Sequence, residues 1–183
     1  MNPKLSEQFF VRDNEEKDFG VLIDLTYRCA LECPRCQRQE FFRDHGDKVW
    51  GEDIPLDTIE KATDTFKAIN FGGQLSDPIH HPNFIEILKL CYEKGVQANV
   101  QTASTGKPKS WFIKAFEANP NARWQFGIDG LPEESHKYRV NQDGPKLFEI
   151  MCEAKTFLKR QPCWQYIIFK YNEEHIEQAK QMA

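Results

Sequence analysis

Three closely spaced cysteines are the residues of this chain best suited to carry chemistry. They lie in the segment Cys29-Ala-Leu-Glu-Cys33-Pro-Arg-Cys36, directly after an apolar run. Three thiolates in one loop can face a common centre, but they are one ligand short of a closed zinc site or a fully ligated iron–sulfur cubane. Two sites therefore fit the spacing: zinc with a distant fourth ligand, or a [4Fe–4S] cluster with one iron left open.

The elements that must position these cysteines alternate along the chain. Apolar segments alternate with segments of helical periodicity, which predicts an α/β fold of β/α units with right-handed connections and a parallel sheet. Strands are expected at 21–26, 68–71, 96–100, 123–128 and 164–171. Helices are expected from Pro55, from Pro82, over 110–118, from Pro145 to Pro162, and over 173–182 with Asn172 as N-cap. Residues 27–54 are expected to form a long loop, and residues 1–20 an N-terminal extension ahead of one domain over 21–183.

Polar and glycine-rich segments follow the predicted strands at their carboxyl ends. They are the cysteine loop, Gly72-Gly73-Gln74, the segment from Gln101 through Thr102 to Ser104, Asp129-Gly130, and Asn172. Chemistry in β/α barrels takes place at this end of the strands. The sequence therefore predicts one site that is built from all five loops.

The cysteine spacing and its position after the first strand resemble the cluster loop of radical S-adenosylmethionine (radical SAM) enzymes. Gly72-Gly73-Gln74 resembles the glycine-rich segment of that family, in which the third residue is commonly Glu. Phe126-Gly-Ile-Asp-Gly130 resembles the strand-four segment Ser-x-Asp-Gly, with Gly127 in the place of Ser. The resemblance implies an open, partial (β/α)₆ barrel. This sequence departs from it in offering about five β/α units, so the barrel is expected to be open at its last strand and to lack a sixth strand and auxiliary-cluster cysteines.

The resemblance also implies a set of binding residues. Cys29, Cys33 and Cys36 would ligate a [4Fe–4S] cluster, and the open iron would be chelated by S-adenosyl-L-methionine (SAM). The remaining cofactor-binding residues would be Gly72, Gly73, Gln74, Thr102, Ser104, Asp129, Asn172 and Arg35. Arg35 stands where the family commonly has an aromatic residue that meets the adenine, and a flat guanidinium can stack on a purine.

Composition limits the alternatives. The net charge of −4 supplies no basic field that would attract nucleic acid, so a nucleic-acid partner is not expected. No apolar run reaches the length of a membrane span and no signal peptide is visible, which predicts a cytoplasmic protein. The other three cysteines, Cys91, Cys152 and Cys163, are expected to be core thiols.

The leading functional prediction is a radical SAM enzyme that is reduced by an electron donor such as flavodoxin or ferredoxin. The segment from Phe169 to Glu174 is most similar to the branch that modifies peptides and proteins. The alternatives are a metal- or cluster-stabilised binding module completed by a partner chain, and an enzyme of nucleotide or tRNA modification. The apolar fifth strand, left at an open barrel edge, also predicts self-association.

Overall fold

The computed structural model describes residues 20–183, which form a parallel five-stranded sheet with helices between the strands. The strands lie in the order β1-β2-β3-β4-β5. Their bounds are β1 Gly20–Leu22, β2 Ala68–Phe71, β3 Gln97–Thr102, β4 Arg123–Gly127 and β5 Cys163–Gln165. The helices are α1 Gln37–His45, α2 Leu56–Thr65, α3 Phe84–Glu93, α4 Lys109–Ala118, α5 Gly144–Ala154 and α6 Ile176–Met182.

The strand order decides where the helices lie. When each strand pairs with the next in the chain and every connection is right-handed, all connecting helices pack on the same face of the sheet. Ile69, Phe71, Val100, Trp124 and Phe126 point to that face and belong to one buried core. The alternate residues of the same strands point to the other face, which is the barrel interior. The predicted α/β partial barrel, open at its last strand, is confirmed.

The fifth strand is much shorter than predicted: it ends at Gln165 rather than at 171. Beyond Gln165, backbone groups bond to side chains and not to a neighbouring strand. The N–H of Ile167 donates to Oδ1 of Asp129 (2.8 Å), and the N–H of Phe169 donates to Oδ1 of Asn172 (2.7 Å). Hydropathy predicts the burial of such a segment but does not reveal these bonds.

Asn172 does not cap the last helix as predicted. Its side chain is fully buried and also donates to the carbonyl of Ile167 (3.0 Å). The predicted helix over 173–182 begins instead as a 3₁₀ turn over Glu173–His175 and becomes α-helical at Ile176. The amide of Asn172 is therefore used to close the preceding turn.

Helix α1 lies within the loop predicted over 27–54. It begins after Cys36, and Gly46 caps its C-terminal end in the left-handed backbone conformation. No residue of α1 is buried, so it lacks the apolar periodicity that would have predicted it. The first strand is also shorter than predicted. The carbonyl of Leu25 accepts from the N–H of Ile54 (2.9 Å). At Leu25 the chain is therefore bonded to the end of the loop 27–54, just before α2, and not to a neighbouring strand.

Two other expectations concern the N-terminal extension and membrane spans. The N-terminal extension lies outside the described residues, apart from Gly20, which begins β1. Among residues 20–183, no helix is both long and apolar enough to cross a membrane.

The three remaining cysteines differ in environment. Cys91 is fully buried in the core, as predicted, and burial raises the pKa of its thiol to about 12. Cys152 on α5 and Cys163 at the start of β5 are exposed, so the prediction of core thiols is wrong for both. Each lies on a face of its element that points away from the helix-packed core.

We therefore expect Cys91→Ala and Cys152→Ala to differ in stability. Removal of the buried sulfur should lower the free energy of unfolding by about 1 kcal/mol, whereas the exposed substitution should change it by less than about 0.5 kcal/mol. Urea denaturation of both variants measures the difference. Equal destabilisation would show that Cys91 does not pack in the core.

The open edge at β5 generates a second prediction. Next to this edge, Trp164, Tyr166, Ile168 and residues of α6 line a mainly apolar groove of about 210 Å³, and the side chain of Ile168 is 60% exposed. Exposed apolar strand edges pair with other chains. We expect concentration-dependent self-association in sedimentation, and we expect Ile168→Lys to abolish it. Met182→Lys is the control, because Met182 is exposed and does not line the groove. A wild-type protein that stays monomeric at high concentration contradicts the prediction.

Candidate functional site

The three clustered cysteines line one wall of a cavity of about 270 Å³ at the carboxyl end of the sheet. Cys33 is buried, and Cys29 and Cys36 are partly buried. The N–H of Leu31 lies 3.4 Å from Sγ of Cys29, and the N–H of Cys36 donates to the carbonyl of Cys33 (3.0 Å). The loop therefore turns so that all three sulfurs border the same space.

Contacts from three other segments hold this loop in place. The Arg38 guanidinium donates to the carbonyls of Cys29 and Leu31, both at 3.3 Å. The N–H of Glu32 donates to the carbonyl of Val140 (3.1 Å), beyond β4. The N–H of Asp77 donates to the carbonyl of Arg28 (3.0 Å), beyond β2. The position of the cysteines therefore depends on the loops that follow other strands.

Cys29 and Cys33 are in an environment that favours the protonated form of their thiols. Burial raises the pKa of Cys29 to about 12, and the nearby Asp77 carboxylate adds to the rise. Burial also raises the pKa of Cys33, although the Arg139 guanidinium opposes the rise. Thiolates at this site consequently need additional positive charge from a bound cation.

The loop after β2 forms a second wall through Gly73, Gln74 and Ser76. Asp24, beyond β1, accepts from the N–H of Gln74 (3.0 Å) and from the hydroxyl of Ser76 (2.6 Å). Asp24 is the only charged residue in the apolar run from Val21 to Thr26. A half-buried carboxylate there needs donors, and the glycine-rich loop provides them.

Asp77 organises the third wall, at the end of β3. Its buried carboxylate accepts from the hydroxyl of Thr102 (2.9 Å) and from the N–H groups of Ala103 (2.9 Å) and Ser104 (3.0 Å). Thr102 lines the cavity, whereas the Ser104 hydroxyl is fully buried and lies 2.8 Å from Nε2 of His80. The two predicted hydroxyl residues are therefore held by one carboxylate.

The fourth wall is formed by Arg139 and Tyr138, beyond β4. Nε of Arg139 donates to Oδ2 of Asp129 (2.6 Å), and the Asp129 side chain is fully buried. Burial acts to lower the pKa of Arg139, but Asp129 and Cys33 together raise it by more, so the guanidinium stays charged. The guanidinium of this buried ion pair borders the cavity beside Cys33. The carboxylate of Asp129 is already bound to it and does not line the cavity.

The structure brings six of the eleven predicted site residues to the cavity and places five elsewhere. The six that line it are Cys29, Cys33, Cys36, Gly73, Gln74 and Thr102. The five that do not line it are Arg35, Gly72, Ser104, Asp129 and Asn172. Arg35 is exposed, and the other four are buried in contacts that support neighbouring loops or strands. Their predicted contacts with SAM stay predictions.

Sequence reasoning missed Asp24, Asp77, Arg38, Tyr138 and Arg139. Two of them could have been found from the sequence. Asp24 interrupts an apolar run, and Asp77 precedes Pro78, as residues that begin a turn often do. In the structure, Asp77 accepts from the N–H of Ile79 at the start of a 3₁₀ turn. Arg139 carried none, because its partner Asp129 is ten positions away and no periodicity connects them. Within residues 20–183, no three His, Cys, Asp or Glu side chains are gathered tightly enough to hold a single metal ion.

The fold and the cavity together define a class of architecture: an open, partial β/α barrel with a three-cysteine loop after its first strand. The chain is similar in structure to methylornithine synthase (PylB), with a TM-score of 0.57 and 14% sequence identity over 80% of this chain and 43% of that one. That likeness shows the fold alone.

A sequence relative is the tungsten-containing aldehyde ferredoxin oxidoreductase cofactor-modifying protein of Pyrococcus furiosus. It is 30% identical over 86 residues, which are 46% of this chain. The chain covers 24% of the length of that relative. No protein-family profile matches the chain.

The geometry of Gly73 generates a prediction about this site. A Cβ atom at Gly73 would lie 1.9 Å from the carbonyl oxygen of Ser76, so Gly73→Ala must displace the backbone of the loop. We expect a loss of about 1–3 kcal/mol in the free energy of unfolding, measured by thermal denaturation. Gly20→Ala is the control, because its Cβ would meet Ala68 at an ordinary 3.6 Å.

A Gly73→Ala variant that melts like the wild type would show that the loop has room at this position. The expected loss of stability also affects how the bulkier substitution Gly73→Val is interpreted. Weak SAM binding in Gly73→Val would report a displaced loop, and not necessarily a lost contact with the cofactor.

Proposed function

We propose that the chain is a radical SAM enzyme whose [4Fe–4S] cluster is held by Cys29, Cys33 and Cys36. The observation that carries the proposal is that these three thiols border one cavity at the carboxyl end of the sheet. When bound and reduced, the cluster supplies the electron that cleaves SAM to methionine and a hydrogen-abstracting 5′-deoxyadenosyl radical. The rest of the catalytic work belongs to the residues of this chain.

The donor set fits a cluster with one open iron. Three soft thiolates satisfy three irons and leave one coordination position for a ligand from the cavity. Because burial keeps Cys29 and Cys33 protonated, loading of the site must release protons and is favoured at higher pH. Arg38 and the backbone of Glu32 fix the loop before any metal binds, which lowers the cost of ordering three ligands.

The other walls suit SAM, which carries an amino group, a carboxylate and an aromatic base. Gly73 and Gln74 present backbone to the cavity at the end of β2, where an amino group can be bound. The guanidinium of Arg139 faces the same cavity and matches a carboxylate in charge and shape. Arg35 is exposed and lies outside the cavity, so we assign it no role in SAM binding.

The electron donor needs a path to the cysteine loop. A second cavity of about 540 Å³ also borders Cys29 and Leu31. Arg28, Arg38 and Lys48 line it. We assign this outer surface to a reduced carrier such as flavodoxin or ferredoxin. The sequence similarity covers only 24% of the Pyrococcus relative, and we therefore do not carry over that protein's cofactor as a substrate of this chain.

Metal content and turnover test the proposal. Protein reconstituted anaerobically should bind about four iron and four sulfide per chain and should form 5′-deoxyadenosine from SAM and dithionite. The visible absorption of the cluster should be lost in each of the variants Cys29→Ala, Cys33→Ala and Cys36→Ala. The rate of 5′-deoxyadenosine formation should fall at least tenfold in each. Cys152→Ala and Cys163→Ala are matched controls, because both sulfurs are exposed and neither lines the cavity.

Three outcomes contradict the proposal. Undiminished iron in all three cysteine variants would place the cluster elsewhere. One equivalent of zinc, without iron after reconstitution, would favour a metal-stabilised binding module. A cluster that binds SAM without 5′-deoxyadenosine formation would favour the same module in its cluster-bound form.

A further inference from the structure

The sheet face opposite the helices is lined by side-chain amides. We call it the amide face and define it by five residues that the strand register places on that side: Asn70, Asn99, Gln101, Gln125 and Gln165. Asn70 pairs with Asn99, Gln101 with Gln125, and Gln165 with Gly127. Paired residues of parallel strands point to the same face.

No carboxylate belongs to this face. The five strands contain no Asp or Glu, and their only charged residue is Arg123. Arg123 pairs with Asn99 and therefore points to this face, at its amino end and away from the cavity. A buried sheet would carry aliphatic side chains here. Amides instead offer both donors and acceptors without net charge. The part of the face next to the cavity, formed by Gln101, Gln125 and Gln165, is therefore uncharged and suited to a neutral ligand that is rich in hydrogen-bonding groups.

The hydrogen bonds of these amides are incomplete within the protein. Asn99 donates to Oδ1 of Asn70 (2.9 Å), but its own Oδ1 is buried and has no partner among residues 20–183. In the same part of the chain, the side chains of Gln101, Gln125 and Gln165 form no hydrogen bond. A buried acceptor without a donor costs about 1–3 kcal/mol. Such a cost indicates that the network is completed by something other than these residues.

The amide face is continuous with the cysteine cavity. Gln101 and Gln165 line that cavity together with the three cysteines. Gln101 lies over Gly72 and Gln165 over Gly127, where a Cβ atom would come within 2.8 Å and 3.5 Å of their amide oxygens. Gly72 therefore makes room for the Gln101 amide where the face meets the cavity, whereas the 3.5 Å at Gly127 is an ordinary contact.

We infer that the amide face binds the substrate and that the substrate is a neutral, extended peptide segment. The inference rests on the proposed function, because a radical formed in the cavity must reach a ligand on the adjoining face. Asn99 and Gln101 project about 6.6 Å apart along β3. An extended peptide repeats its same-side groups every two residues, at about 6.6–7.2 Å. Peptide N–H and C=O groups also match the donors and acceptors of the amides.

Binding of blocked peptides tests this inference without iron, SAM or turnover. A library of N-acetylated, C-amidated pentapeptides is passed over immobilised protein, and the retained peptides are identified by mass spectrometry. Their Kd is then measured by fluorescence anisotropy. We expect wild-type protein to retain peptides, and we expect the isosteric double variant Gln101→Met/Gln125→Met to weaken their Kd at least tenfold. Gln178→Met, the same change on the exposed surface of α6, should leave the Kd unchanged.

Three results would overturn the inference. They are no peptide retained above the bare support, an unchanged Kd in the double variant, and equal competition by maltopentaose, a neutral ligand without amides. If the double variant fails to fold, Gln101→Glu replaces it, because Gln101 is exposed and the change preserves side-chain size. Peptide binding without 5′-deoxyadenosine formation would refute the proposed function alone, and 5′-deoxyadenosine formation without peptide binding would refute this inference alone.

Discussion

The candidate site depends on one constraint: backbone N–H groups beyond the ends of parallel strands have no strand partner and must find acceptors. Three aspartates meet this need. Asp24 accepts from the loop after β2, Asp77 from the segment after β3, and Asp129 from the N–H of Ile167 after β5. Each carboxylate lies on one loop and bonds to the loop after another strand. The three together fix the walls of the cavity relative to one another.

This use of carboxylates has an electrostatic consequence. Negative charge beside the cysteines disfavours thiolates, and the Asp77 carboxylate contributes to the raised pKa of Cys29. The same charge favours a cation in the cavity. Asp129 is the exception, because Arg139 neutralises it. The side of the cavity next to Cys33 is therefore positive, while the side next to Asp77 is negative. A zwitterionic ligand with separate amino and carboxylate groups would be oriented by this difference.

The sequence predicted the elements with strong periodicity and the residues with unusual spacing. Alternating apolar and amphipathic segments predicted the parallel sheet, and the cysteine spacing predicted the loop that borders the cavity. Helix α1 was missed because none of its residues is buried, and hydrophobic periodicity is absent from an exposed helix. The end of β5 was misplaced because hydropathy cannot distinguish a backbone that bonds to Asp129 and Asn172 from one that bonds to a strand.

The amide face illustrates a further limit and also a signal that was available. Strand β3, Gln97-Ala-Asn-Val-Gln-Thr102, alternates polar and apolar residues, which is the pattern of a strand with one uncovered face. The helix-packed face consists of apolar side chains that hold the strands in register. The polar face is thereby free to carry groups that bind a ligand, and it carries them up to the edge of the cysteine cavity. Stability and recognition in this fold are thus assigned to opposite sides of the same five strands.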